Sequence, residues 1–341
     1  MVGSLVHLHG PVTSRLLLVE ERLVGRSGLR VSRLGLGTLT WGRDTDGHEA
    51  ADQLRDFVDA GGTLLDTASS YGDGAAEELI GALLGEVVRR DDVVLCSKAG
   101  VTRRDNGRLI DPSRRTLLAD LDRSLRRMRT DHLDLWLVHG WSDLVPLDET
   151  LAALEVAVRS GRVRYVGVSN YAGWQTGRAA TLLPALFPGA GLVAGEVEYS
   201  LVQRGVEREV VPAATALGLG LLAWSPLGRG VLTGKYRTGT PADSRGASPH
   251  LSGFVGRYLG GPSRRVVDAV VTAADGLGCS PLEVALAWLR DRPGVTSALV
   301  GARTAAQLRA ALSSEDVELP DEIHLALDEV SQPVLGYPER F

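Results

Sequence analysis

Lys98 closes the apolar run Val93-Val94-Leu95-Cys96-Ser97, a place where an ammonium group is expensive to bury unless something pairs with it. It is one of only two lysines among 37 basic residues; the other is Lys235, and the remainder are arginines. An ammonium is a compact point charge that can press on one neighbour. The candidate neighbours are Asp66 in Leu64-Leu65-Asp66-Thr67-Ala68, Tyr71 just before Gly72, and His139 at the end of Leu135-Trp136-Leu137-Val138. A free phenol has a pKa of about 10. A lysine about 4 Å away, at an effective dielectric of about 20, interacts with the phenolate by about 4 kcal/mol, which would bring the phenol towards about 7 before desolvation pushes the other way. A tyrosine tuned in this way suits a carbonyl oxygen that gains negative charge on receiving hydride. Asp66 would keep Lys98 charged and in place. A neutral His139 would donate a hydrogen bond that orients the carbonyl.

Taken singly, each residue has a plain structural role. Asp66 could cap a turn, Tyr71 could pack on a loop, Lys98 could mark a strand exit and His139 could be satisfied in a core. Their coincidence at three successive strand ends outweighs those readings.

The elements that would position them alternate along the chain. Residues 48–60 carry Ala51, Leu54, Phe57 and Val58 on one helical face and stop at Gly61-Gly62, and a strand at 63–66 follows. Ser113 can cap a helix bearing Leu117, Leu121, Leu125 and Met128, and Asp148 one bearing Leu151, Leu154 and Val158. Continuous apolar strands between amphipathic helices mean a parallel sheet covered on its outer face. Polar residues terminate successive strands: Asp66, Lys98, His139, Ser169-Asn170, Glu196, Trp224-Ser225 and Gly301. With a first strand near 34–37 the count is eight, which predicts an α/β fold of the (β/α)8 TIM-barrel type with its chemistry at the C-terminal mouth. A strand pair near 21–24 and 29–31 is expected to close the barrel bottom. A doubly wound sheet is the rival, but no G-x-G-x-x-G opens a helix here.

Residues 1–20 read as an extension outside a single barrel domain at 21–341, too short in apolar length and lacking the basic start of a signal peptide. The stretch 228–262 breaks the rhythm with nine glycines and three prolines, and its place after the seventh strand predicts a cofactor strap or substrate lid. A net charge of −5 without a basic stripe argues against nucleic acid as a partner. No apolar stretch reaches membrane-span length, so no membrane partner is expected. Cys96, in its apolar strand, reads as a buried thiol, and distant Cys279 gives no disulfide pattern, which loosely points to the cytoplasm. No metal site is expected, and a homo-oligomer is compatible with the sequence.

These segments resemble the aldo-keto reductases of bacterial type, with similarity to the potassium-channel β-subunit branch. The matching pieces are Leu65-Asp66-Thr67-Ala68 with Tyr71-Gly72, Ser97-Lys98, Leu137-Val138-His139, Val166-Gly167-Val168-Ser169-Asn170, Glu198-Tyr199-Ser200-Leu201 and Ala223-Trp224-Ser225-Pro226-Leu227-Gly228-Arg229-Gly230. The likeness runs from about residue 22 to the C-terminus. It implies an NAD(P)H-dependent (β/α)8 barrel that reduces an aldehyde or ketone, with catalytic residues at Asp66, Tyr71, Lys98 and His139.

On the cofactor side the resemblance implies that Ser169 and Asn170 hold the nicotinamide carboxamide and that Trp224 stacks on its ring. Ser225, Leu227, Gly228, Gly230 and Lys235 would line the pyrophosphate, with Thr38 in contact after the first strand. Gly301, Arg303 and Gln307 open the helix after the last strand, and Arg303 favours a 2′-phosphate, hence NADP(H) over NAD(H). Two departures stand out. Glu196 occupies the position where the family commonly has glutamine beside the nicotinamide, and a carboxylate cannot donate as an amide can. Ala310-Ala311 replaces a Glu-Asn pair that meets adenine.

A small carbonyl compound is the expected partner, with Trp41 and Trp141 as candidate walls of its pocket. Two alternatives remain open: a cofactor-sensing regulatory subunit on the same barrel, and a nucleotide-sugar keto-reductase.

Overall fold

The structure is a computed structural model that describes residues 19–104, 107–249, 251–333 and 336. Eight parallel strands close into a barrel: β3 (Leu34–Gly37), β4 (Leu64–Asp66), β5 (Val94–Ala99), β8 (Leu133–Val138), β9 (Val163–Ser169), β10 (Leu192–Glu198), β11 (Gly220–Trp224) and β12 (Val295–Val300). The ladder from β12 back to β3, with Leu299 opposite Gly35, completes the circle. Side chains alternate across a strand, so period two sends one set inward. Leu64, Cys96, Leu135, Leu137, Ala194, Leu222 and Leu299 fill the interior. The same parity carries Asp66, Lys98, Glu196 and Trp224, each two residues further along its strand, to the mouth.

The strand pair preceding the barrel forms as expected, with β1 (Glu21–Leu23) antiparallel to β2 (Arg30–Ser32). Val24 and Val31 are fully buried in the interior cluster, which makes the hairpin a plug at the barrel bottom. Its turn lies directly on the chain before β11. Gly25 has φ +57°, and a Cβ there would stand 2.3 Å from the Gly218 carbonyl oxygen. A second hairpin, β6 (Val101–Arg104) with β7 (Gly107–Ile110), follows β5 and has no counterpart in the sequence reading. Residues 1–18 of the leading extension lie outside the described residues, but Val19 is buried and donates its N–H to the Ala60 carbonyl.

Helices cover the barrel as their patterns demand. Helix α1 (Gly47–Asp59) is capped by Asp46, which accepts from the N–H groups of His48 and Glu49, and it buries Ala50, Gln53, Leu54 and Phe57. Helix α2 (Ala75–Leu83) follows the turn after β4, and Ser113 caps α3 (Arg114–Met128) by accepting from the Thr116 N–H. Helix α4 (Leu147–Arg159) starts earlier than expected: Asp148 is inside its first turn rather than at the cap, where its charge faces the positive helix end. Among the described residues no single helix is long and apolar enough to cross a membrane.

Candidate active site

Lys98 is fully buried, and its Nζ donates to Asp66 Oδ1 at 2.6 Å. It also lies 3.1 Å from Glu196 Oε2, an ion-pair contact without hydrogen-bond alignment. The Tyr71 ring centroid is 5.2 Å from Nζ, and the His139 ring meets Tyr71 edge-on at 6.1 Å. Asp66, Tyr71, Lys98 and His139 therefore come together, as their spacing predicted. Three of them are strand-end residues, and Tyr71 sits in the turn Tyr71–Gly74 that follows β4.

The electrostatics differ from the sequence expectation. Burial pushes the Tyr71 phenol above its ordinary range; Lys98 opposes this, but Asp66 and Glu196 add to it. Burial outweighs the cation here, so the expected drop towards neutrality does not occur, and the second carboxylate further offsets the field of that cation. Burial alone would pull Lys98 down, yet Asp66 and Glu196 raise it well above the usual lysine range, so it stays charged. Burial raises Asp66 against the pull of Lys98. Burial and the Asp66 charge push Glu196 up to about 8. The Cys96 thiol is free, buried and raised well above its ordinary value by burial and then Asp66.

A cavity of about 420 Å³ opens from this cluster. Asp66, Tyr71, His139, Asn170, Glu196 and Trp224 line one end; Ser225, Leu227, Gly230, Lys235, Gly301, Arg303 and Gln307 continue it. Trp224 Nε1 donates to Asn170 Oδ1 at 3.1 Å, which fixes the indole. Five described non-glycine residues adopt left-handed backbone; Asp73, Asn170, Ser225 and Arg229 are on loops at the strand ends, and Arg129 caps α3. Such strain concentrates where the surroundings over-determine a site.

Several residues are placed elsewhere than expected. Thr38 is fully buried behind the wall formed by Gly37 and Leu39, and its Oγ1 donates to the Asp66 carbonyl. It braces the strand end instead of facing the cavity. Ser169 is buried, with its Oγ accepting from Asn170 Nδ2, and Gly228 is packed in the turn beneath Leu227. Trp41 is core, not pocket: it is fully buried and its Nε1 donates to Gln53 Oε1. An indole with one polar atom satisfied by a helix facing the barrel has no reason to reach the mouth. Trp141 packs edge-on against Tyr171 and Trp174, with its Nε1 on Asp143, beside the cavity rather than in its wall. We expect Trp41→Phe to lower stability by about 1–3 kcal/mol, through the orphaned Gln53, while leaving KM for any carbonyl unchanged. Thermal unfolding and steady-state kinetics check both halves.

Other residues emerge only in three dimensions. Arg245 lines the cavity and donates to the Gly301 carbonyl at 3.0 Å, and Phe254 stacks over Trp224 at 6.3 Å. Both come from 228–262, whose irregular composition hid them. Arg229 pairs with Glu198 through two contacts of 2.7 and 2.6 Å and lies 3.6 Å over the Phe254 ring. Its place in Leu227-Gly228-Arg229-Gly230 was visible, but a single arginine among many carried no signal.

Lys235, Arg245 and Arg303 gather at the far end of the cavity. Burial lowers Lys235, followed by the charges of Arg245 and Arg303, and burial and then Arg303 lower Arg245. Crowded, partly desolvated cations of this kind form a site for phosphate. A flat indole near the acid cluster and cations beyond it fit a nicotinamide dinucleotide.

Fold and site together define a barrel oxidoreductase. The model of the aldo/keto reductase family matches residues 33–332, and the chain belongs to that family, whose members use nicotinamide cofactors. It is 36% identical over 325 residues to an uncharacterized oxidoreductase, YrpG, of Bacillus subtilis (strain 168), covering 92% of this chain and 96% of that one. It is 34% identical to a probable voltage-gated potassium channel subunit beta of Oryza sativa subsp. japonica, over 94% and 98% of the two chains. An L-glyceraldehyde 3-phosphate reductase of Escherichia coli (strain K12) is 33% identical, over 92% and 91%.

Proposed function

We propose that this protein reduces an aldehyde or ketone to an alcohol with NADP(H), using Tyr71 as the proton donor. The observation that carries this reading is the buried Asp66–Lys98 pair, at 2.6 Å, set beside Tyr71 where that ring lines the cavity. Trp224, Asn170 and the cationic end would hold a nicotinamide cofactor, which would supply the hydride. The Tyr71 phenol is protonated throughout the physiological range, which is the form an acid needs. When the carbonyl oxygen becomes negative, the Tyr71 O–H bond breaks and the proton moves to that oxygen, and Lys98 stabilises the phenolate left behind. His139 orients the carbonyl. Asp66 holds Lys98 in place. The 228–262 segment, through Lys235, Arg245 and Phe254, acts as a strap over the cofactor.

Arg303 and Arg245 favour a 2′-phosphate. Arg303→Ala should raise the Kd for NADPH roughly tenfold to hundredfold, the weight of a charge-assisted hydrogen bond, and that for NADH much less. Tryptophan-fluorescence titration measures both, and equal losses remove the assignment.

The relative from Oryza sativa, named as a channel subunit, supports a second reading, in which the cofactor is sensed and not turned over. Loss of NADPH absorbance with an activated aromatic aldehyde separates the two. Turnover supports the reductase, and tight NADPH binding without turnover supports the sensor.

A further inference from the structure

Two buried carboxyl groups, Asp66 at 3% exposure and Glu196 at 2%, face the single ammonium of Lys98 at 2.6 and 3.1 Å. One cation cannot balance two carboxylates in a desolvated pocket, so the cluster keeps a proton. The geometry says where. Asp66 accepts the aligned ammonium hydrogen bond, whereas Glu196 Oε2 lies off that direction. The charge of Asp66 further favours a protonated Glu196. Glu196 also lines the cavity, one strand away from Asn170 and Trp224.

We propose that Glu196 carries the proton this cluster retains, and that this proton sets both the strength of Tyr71 as an acid and the site's preference between reduced and oxidised cofactor. The inference rests on Tyr71 being the donor for its first half only. With Glu196 protonated, Asp66 and Lys98 cancel and the cluster is neutral; its carboxyl then offers one O–H donor and one acceptor, like an amide. Once Glu196 ionises, the cluster is net negative. The phenolate becomes harder to form, reduction slows, and the cation of an oxidised nicotinamide gains a counter-charge.

Titratable and charged groups face Glu196 from the neighbouring elements. Tyr71, from the turn after β4, and Lys98 and the Cys96 thiol, from β5, are all pushed upward. Asp66 comes from β4, and the in-register neighbours on β9 and β11, Ser169 and Leu222, carry no charge. His139, at the end of β8, lines the same cavity and is retained in the test variant E196Q.

The test has three readouts on the full chain. Infrared spectra of the cofactor-free protein, titrated from about pH 6.5 to about pH 9.5, should lose a protonated-carboxyl band that E196Q lacks. The ratio of Kd for NADPH to Kd for NADP+, from tryptophan fluorescence, should rise about tenfold across that range in the wild type and stay flat in E196Q. kcat/KM for aldehyde reduction should fall about tenfold to a lower plateau as Glu196 ionises in the wild type, a limb that E196Q loses. An unchanged limb in E196Q, or a pH-independent cofactor ratio in the wild type, overturns the proposal. If no aldehyde is turned over, the reductase reading fails alone, and the infrared and binding curves still decide for or against Glu196.

Discussion

Tyr71→Phe is expected to lower kcat/KM for carbonyl reduction by roughly 10²–10⁴-fold, the range general acid catalysis supplies. The change removes one oxygen. The ring keeps its edge contact with His139 and its place 5.2 Å from the Lys98 ammonium, so stability should stay close to wild type. NADPH affinity should change less than about threefold, because the cations at the far end of the cavity are untouched. A steady-state assay with matched fluorescence titration distinguishes chemistry from binding. Turnover within a few-fold of wild type would remove Tyr71 from the role of acid, whatever its surroundings. Since the phenol is held above its ordinary range, the wild-type enzyme should show no alkaline limb from Tyr71 itself.

How far the sequence reaches is clearest at β5. The run ending at Lys98 announced a buried strand, and period two then placed Cys96 and Lys98 on one face, so a buried lysine near other strand ends was legible. What it did not announce was the charge balance. Glu196 stood out as a departure beside the cofactor, yet only the closed barrel brings β10 across the interior to within 3.1 Å of an ammonium on β5. A cancelling second carboxylate is a fact of three dimensions, and it adds to the burial that holds Tyr71 above its ordinary range. Trp41 and Thr38 failed for a related reason: both follow the first strand, but a turn buries the first against Gln53 and the second against the Asp66 carbonyl. Arg245 had no readable signal, because its segment has no periodicity to say which side chains face inward. Eight strands and their order, by contrast, followed from patterns repeated many times along the chain.

Lys98→Met should damage both stability and activity severely. Methionine fills much of the volume, but it leaves Asp66 and Glu196 buried at 3% and 2% exposure with no cation between them. Removing one partner of a buried ion pair typically costs about 3–5 kcal/mol, and here two acids lose the same partner. The pH dependence supplies a signature that a packing defect lacks. Burial raises both carboxyls, and Lys98 is the force that lowers them; without it both folded-state values rise further. A group whose folded pKa lies above its unfolded value contributes stability at low pH and loses it as pH rises through the folded value. The deficit of the variant relative to wild type should therefore be smallest near pH 5 and grow steadily towards pH 9, a trend that denaturant melts at matched pH can follow. A deficit independent of pH would mean that the three groups do not share charge. Activity should fall at least as far as in Tyr71→Phe, because the phenolate loses its stabilising cation while the negative charge around it increases.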